Sequence, residues 1–383
     1  MKSGEGKGTP VVKVECLSCG YSEYQMSSLG LGELLKERCP RCGGDLAVTG
    51  KELPPEWGEV LSLVGSEFSV VDFALGREEG EFEVEARPGS SFSRLLGGLR
   101  SKGKVAVLRR RGGALHLWVR SLPPSRGERP YLHLALFAVT LLSIFGFSYL
   151  LLFEEAGKAL LFSLSLMAVL GSHELGHGVA ARRNGVEASL PYFIPAPTYL
   201  GTLGAVVRVR SPIPTRDALV EVGASGPLLG FAVALLVTSL GLVLGGSGEP
   251  LTFTTPSLLL LKAALGGGLN HPFVFSGSVM MVITFLNLLP AGQLDGGHVA
   301  RGLLSAEQHR TLTRGMGFGL LFSGFLFRTY SFWVWGFLIL FFFGSPHAGV
   351  LDELSPLSPS HRRLALLTFL LLPLTFPLPG VLK

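Results

Sequence analysis

Charge is scarce in this sequence. Only 16% of its 383 residues are Asp, Glu, Lys or Arg, against about 25% in ordinary soluble proteins. Hydrophobic residues make up 48%. That deficit excludes a uniformly soluble chain, and its distribution is uneven. The first 130 residues are rich in Arg, Lys, Glu and Asp, whereas long apolar runs dominate from Tyr131 onward. A soluble head on a membrane body is expected. The formal charge of +5 does not imply a nucleic-acid partner, because the arginines are scattered or flank apolar runs, where they act as positive-inside anchors. A second absence concerns the start of the sequence. MKSGEGKGTPVVKVECLSCG lacks the apolar core of a cleavable signal peptide, so the head is expected on the cytoplasmic side.

Cysteine is sparser still, with four residues in the chain, but they are grouped. Cys16-Leu17-Ser18-Cys19 and Cys39-Pro40-Arg41-Cys42 form two tight pairs, each followed by Gly. Two such knuckles facing one another make a closed tetrahedral zinc site of the structural kind. Disulfides are the competing reading, and a head that stays in a reducing compartment disfavours them. Residues 11–50 contain too little apolar sequence for a core without metal, so a small zinc ribbon is expected there.

A linker, LPPEW, follows. Between residues 60 and 125 the segments EFSVVDFAL, EFEVEAR, KVAVLRR and ALHLWVR carry strand periodicity. SSFSRLLGGLRSKG between them reads as a short helix capped by Ser and stopped by Gly. A small α+β domain is expected, without a nucleophile or ligand cluster of its own.

Residues 131–383 are expected to be embedded in the membrane, with a core over 157–302. Apolar runs at 131–153, 157–181, 218–245, 273–300, 314–327, 330–344 and 364–380 predict a polytopic α-helical protein of about six to seven transmembrane helices. The short run 256–269 reads as a re-entrant or interfacial helix. Arg182, Arg183, Arg208, Arg210, Arg216, Arg301, Arg310 and Arg314 fall on one side, against only Glu249 and Lys262 in the loop 246–270. The arginine side and the head are therefore expected to be cytoplasmic.

Into this apolar background the sequence places GSHELGHG, directly after ALLFSLSLMAVL. His173 and His177 are four residues apart, so a helix carries both on one face. With Glu174 they form H-E-x-x-H, the pattern in which the histidines bind zinc and the glutamate is the general base. Polar groups at membrane depth are costly unless paired or metal-bound. A catalytic zinc usually has three protein ligands. Asp295, in NLLPAGQLDGGH at the end of a later apolar run, is the favoured third ligand. His298 is a competitor, better read as a turn residue or a partner of the ligands.

HELGH in a membrane helix followed by NLLPAGQLDGG resembles the site-2 protease family of intramembrane zinc metalloproteases, and most of all its archaeal and chloroplast-type branch with a soluble domain. The resemblance extends over roughly residues 60–345, is strongest from 171 to 300, and includes the linking segment GTLGAVVRVRSPIPTRDALVEVGASGPLLGFAVAL. It implies His173, His177 and Asp295 as catalytic zinc ligands, Glu174 as the catalytic glutamate, and Asn287 as a polar residue that positions substrate or stabilises the intermediate. It also implies transmembrane proteins as substrates and the lipid bilayer as the medium. Gln293 stands where many relatives have proline, and Leu288 follows the asparagine, which bears on local unwinding rather than on chemistry. The four-cysteine ribbon is an addition to the common core. LGAVVRVRSP alternates like a strand, and either an edge that holds unwound substrate or a plain hairpin is expected there. A non-catalytic zinc-binding scaffold and a metal transporter are the alternatives. A transporter needs polar groups along a through-path, and here they cluster near one membrane face.

Overall fold

The computed structural model describes residues 11–50, 53–122, 127, 129–246, 253–328, 330–341 and 347–379. Glu249, the boundary expected at residue 125 and the ends of the runs expected at 344 and 380 lie outside them. The chain divides into two compact units, residues 1–125 with 351–355 and residues 126–350 with 356–383.

The first unit contains β1 (Val11–Cys16), β2 (Ser22–Met26), β3 (Leu34–Arg38), β4 (Asp45–Gly50), α1 (Pro55–Glu67), β5 (Phe68–Leu75), β6 (Glu79–Ala86), α2 (Phe92–Ser101), β7 (Lys104–Arg111) and β8 (Ala114–Ser121). The strands form one antiparallel sheet in the order β3-β4-β1-β2-β5-β6-β8-β7. Strand β2 joins β5 through Tyr24↔Leu75 and Gln25↔Ala74, so the cysteine-bearing strands and the α+β strands share one sheet. The helices form where the sequence spaces its apolar residues three and four apart. Trp57, Val60 and Val64 of α1 and Phe92, Leu95, Leu96 and Leu99 of α2 are buried on Phe73, Phe82, Leu117 and Val119 of the sheet. Ser91 caps α2 by accepting from the Arg94 amide. Residues 351–355 add to the β7 edge, where the Leu108 amide donates to Leu351 O at 3.0 Å. Asp352, 1% exposed, accepts from the amides of Leu354 and Ser355.

The second unit begins with α3 (Pro130–Ser148), extended by a π-helical turn at Tyr149–Phe153. It continues through α4 (Ala156–Arg183), the hairpin β9 (Tyr192–Pro195) and β10 (Thr202–Val206), and α5 (Arg216–Leu244). Next come β11 (Phe253–Thr254), α6 (Pro256–Leu265), α7 (Pro272–Asn287), α8 (Asp295–Leu303), α9 (Ala306–Phe327), α10 (Tyr330–Phe341), α11 (Pro359–Phe369), α12 (Leu371–Thr375) and β12 (Leu378–Pro379). Its largest core gathers Phe162, Leu166 and Leu170 of α4, Phe231 of α5 and Val279, Met280 and Met281 of α7. Ser165 of α4 donates to Ser276 of α7 at 2.7 Å inside this apolar packing.

The expected about six to seven transmembrane helices are corrected here. Among the described residues three helices are long and apolar enough to cross a membrane: Pro130–Phe153, Ala156–Arg183 and Arg216–Leu244, of 24, 28 and 29 residues. The other runs fail on length or polarity. The run expected at 273–300 breaks after α7, whose 16 residues rise only about 24 Å against a hydrocarbon core of about 30 Å. Helix α10 has 12 residues, and the last run splits into α11 and α12 around Leu370. Helix α9 is long but carries Glu307, His309, Arg310 and Arg314 in its first half. Hydropathy does not register where a helix stops. Between α7 and α8 the stretch 288–294 is not helical, and its Leu288, Leu289 and Ala291 are buried in protein, the setting in which irregular backbone is tolerated at membrane depth. That break brings Asp295 to the first residue of α8.

Candidate metal centres

The C-terminal half of α4 carries His173, Glu174 and His177, with His173 only 3% and Glu174 8% exposed. Asp295 opens α8, where the unpaired amides of the first turn favour a negative charge. Gly296 lies so close to the Leu288 carbonyl that a Cβ would overlap it, so the turn into α8 requires a residue without a side chain. The Gly292 amide donates to Thr313 Oγ1 of α9 at 3.0 Å and fixes the turn from behind.

These elements bring one donor atom from each of His173, His177 and Asp295 within 4.8 Å of one another. His173 Nε2 is 3.1 Å from His177 Nε2 and 3.1 Å from Asp295 Oδ2, and His177 Nε2 is 3.3 Å from Asp295 Oδ1. Zinc with bonds of about 2.0–2.1 Å in a tetrahedron sets its donors about 3.3 Å apart, so the residues present fit that ion. His177 Nδ1 lies 2.7 Å from the Val222 carbonyl of α5 and donates to it, which fixes the tautomer that leaves Nε2 free for metal. Glu174 Oε2 accepts from the Val207 amide, just after β10, at 2.8 Å. Asn287 ends α7, half-buried. His298 is not among the three clustered donors, and its Nδ1 meets His347 instead.

Sequence reasoning missed the part played by α5. Gly226 and Gly230 of this helix face the two ligand imidazoles, and a Cβ on Gly226 would overlap the His177 ring, while one on Gly230 would stand 3.0 Å from His173 Nδ1. The signal was present in VGASGPLLG: Gly223, Gly226 and Gly230 fall on one face of an apolar helix, the small-residue pattern of close helix approach. The Val222 carbonyl and the Val207 amide left no such signal, since any residue supplies them.

The second cluster is Cys16, Cys19, Cys39 and Cys42, all free thiols. Cys16 Sγ and Cys42 Sγ are 3.5 Å apart, and Cys19 Sγ and Cys39 Sγ 3.7 Å. A disulfide requires about 2.05 Å, whereas tetrahedral zinc–thiolate bonds of about 2.3 Å place sulfurs about 3.8 Å apart. The Ser18 amide points at Cys16 Sγ from 3.4 Å and lowers that thiol to about 6, so a thiolate is ready at neutral pH. Little else holds this end of the sheet, where the local core is Cys16, Cys39 and Leu46 with Tyr21 and Leu35. Cys39→Ser in the full chain is therefore expected to lower bound zinc from two ions to one and to open residues 11–50 to protease. Metal analysis with limited proteolysis checks this, and an unchanged metal count would refute it.

Residues 161–327 match the family model described as Peptidase family M50. The chain is 30% identical over 235 residues to a protein named "Probable zinc metalloprotease EGY2, chloroplastic" from Oryza sativa subsp. indica, an alignment covering 57% of this chain and 43% of that one. It is 32% identical over 227 residues to the Arabidopsis thaliana protein of the same name (55% and 40%), and 32% identical over 170 residues to "Probable zinc metalloprotease EGY1, chloroplastic" from Arabidopsis thaliana (40% and 31%). The chain thus spans less than half the length of each of these relatives. No solved structure matches it. The His-His-Asp cluster lies inside the segment, residues 161–327, that matches the model of Peptidase family M50.

Proposed function

We propose that this protein is an intramembrane zinc metalloendopeptidase that hydrolyses peptide bonds in or near the transmembrane segments of membrane proteins. The observation that carries the reading is the three-donor cluster of His173, His177 and Asp295 beside Glu174, at the end of a helix long enough to cross a bilayer. The names of the relatives, zinc metalloproteases, agree with it.

His173, His177 and Asp295 would hold a zinc ion, which would supply Lewis acidity at this site. Glu174 takes the proton from the attacking water as general base and returns it to the leaving amide nitrogen. Asn287, at the end of α7, donates to the oxygen that gains negative charge. The Val207 amide holds Glu174 through one oxygen and leaves the other for water. Strand β10 pairs with β9, and its second edge is suited to hold an unwound substrate as an added strand. A transmembrane helix has its carbonyls paired internally, so such pairing must precede attack.

Arg129 before α3, Arg182 and Arg183 ending α4 and Arg216 opening α5 mark one end of the three long helices. That end is cytoplasmic on the positive-inside rule, and His177 lies six residues from Arg183, so water arrives from that face. Residues 11–50 then serve as a metal-held ribbon, 60–125 as a soluble α+β region and 131–383 as the membrane-embedded peptidase.

The test uses purified full-length protein, a panel of single-span membrane substrates and metal analysis. Wild type is expected to bind two zinc ions and cleave. Asp295→Ala is expected to keep the ribbon zinc, lose the other and lose cleavage. Cleavage by Asp295→Ala at the wild-type rate would overturn the assignment.

A further inference from the structure

Three histidines outside the metal cluster meet in the second unit: His298 on α8, His309 on α9 and His347 in the segment after α10. His298 Nδ1 and His347 Nε2 are 2.6 Å apart, with the rings nearly perpendicular at 86°. His309, 3% exposed, packs edge-on against His347 with ring centroids 5.8 Å apart.

One hydrogen bond sets the order of protons through this group. The Gly349 amide donates to His347 Nδ1 at 2.9 Å. A ring nitrogen that accepts carries no proton, so neutral His347 is protonated on Nε2. That N–H faces His298 Nδ1, which must accept. Neutral His298 therefore keeps its own proton on Nε2. A metal ion between the two rings does not suit these partners, because it would need lone pairs from both facing nitrogens and leave His347 with no proton at all.

His298 stands one helical turn after Asp295, and Gly223 of α5 lies against both the Asp295 carbonyl and His298 Cβ. We propose that His347 is a positioning residue that locks His298 as an Nε2–H donor beside the metal site, where it meets the negative charge that grows on the scissile carbonyl oxygen. The tautomer lock stands on the hydrogen bonds alone, and its use on substrate rests on the peptidase reading. Donors of this kind are worth about a hundredfold or more in rate. His309 holds the His347 ring in place.

Two measurements on the full-length zinc-loaded protein test this. Nitrogen-15 spectra of histidine-labelled protein, with His298 assigned by His298→Gln, are expected to give an unprotonated Nδ1 and a protonated Nε2. In kinetics, His347→Glu replaces a donor by an acceptor, draws the proton to His298 Nδ1 and is expected to lower kcat about a hundredfold at unchanged KM and zinc content. His347→Gln, whose amide again donates, is expected to recover most of that loss. A protonated His298 Nδ1 in wild type, or equal kcat for the Gln and Glu variants, would overturn the proposal. Equal cleavage by wild type and Asp295→Ala would instead overturn the peptidase reading, and the spectra would still decide the tautomer.

Discussion

Glu174→Gln is expected to bind zinc at the wild-type stoichiometry and to cleave the test substrates about a thousandfold more slowly or worse. The two properties separate because Glu174 is not one of the clustered donors; those are His173, His177 and Asp295. Glutamine keeps the shape of the side chain, and its carbonyl oxygen can still accept from the Val207 amide, which lies 2.8 Å from Glu174 Oε2. What glutamine lacks is a base. Its amide cannot remove a proton from water, so both the attack and the later protonation of the leaving nitrogen lose their carrier. Single-turnover cleavage with parallel metal analysis reads the two properties independently. A variant that loses zinc together with activity would show that Glu174 acts as a ligand or in folding, and wild-type cleavage would remove it from the chemistry.

Gly226→Ala is expected to weaken zinc binding at the His-His-Asp site by about 10- to 100-fold, with cleavage falling in step. The added methyl group would overlap the His177 ring. Both neighbours are constrained: α5 is a 29-residue helix, and His177 is tied to the Val222 carbonyl. Overpacking of this kind costs about 1–3 kcal/mol, and here the strain falls on a ligand rather than on inert core. Gly178→Ala is the matched control. It lies one residue after His177 on α4, its Cβ would meet nothing within 4 Å, and zinc affinity should stay at the wild-type value. Zinc competition titrations on both variants compare them directly. Equal affinities would mean that α5 does not set the ligand position.

The strands and the short helix between residues 67 and 121, and the metal donors, could be read from sequence because their signals are local. Strand alternation in EFEVEAR and ALHLWVR, the Ser-capped helix at 92–101 and the spacing His173-x-x-x-His177 each reflect side chains a few residues apart on one backbone period. The count of membrane helices was read wrongly for the complementary reason. Hydropathy sums side chains and is blind to backbone hydrogen bonding, so NLLPAGQL looked like the continuation of a span although its buried, non-helical backbone ends α7 at Asn287.

The sequence by itself determined the donor types: four thiols in two pairs, two imidazoles on one helix face, and a carboxylate flanked by glycines in a later apolar run. These follow from short spacings and from the cost of leaving polar groups unpaired in hydrocarbon. Only the tertiary structure decided that Asp295, 122 residues beyond His173, closes the triangle, that α5 supplies the carbonyl and the bare glycine faces which aim His177, and that His298 turns to His347 instead of to the metal cluster. The first two depend on helices approaching within van der Waals distance, and the third on a non-helical segment packing against α8. No local spacing encodes such an approach, because it is set by how the small residues of α5 allow α4 and α8 to pack against it.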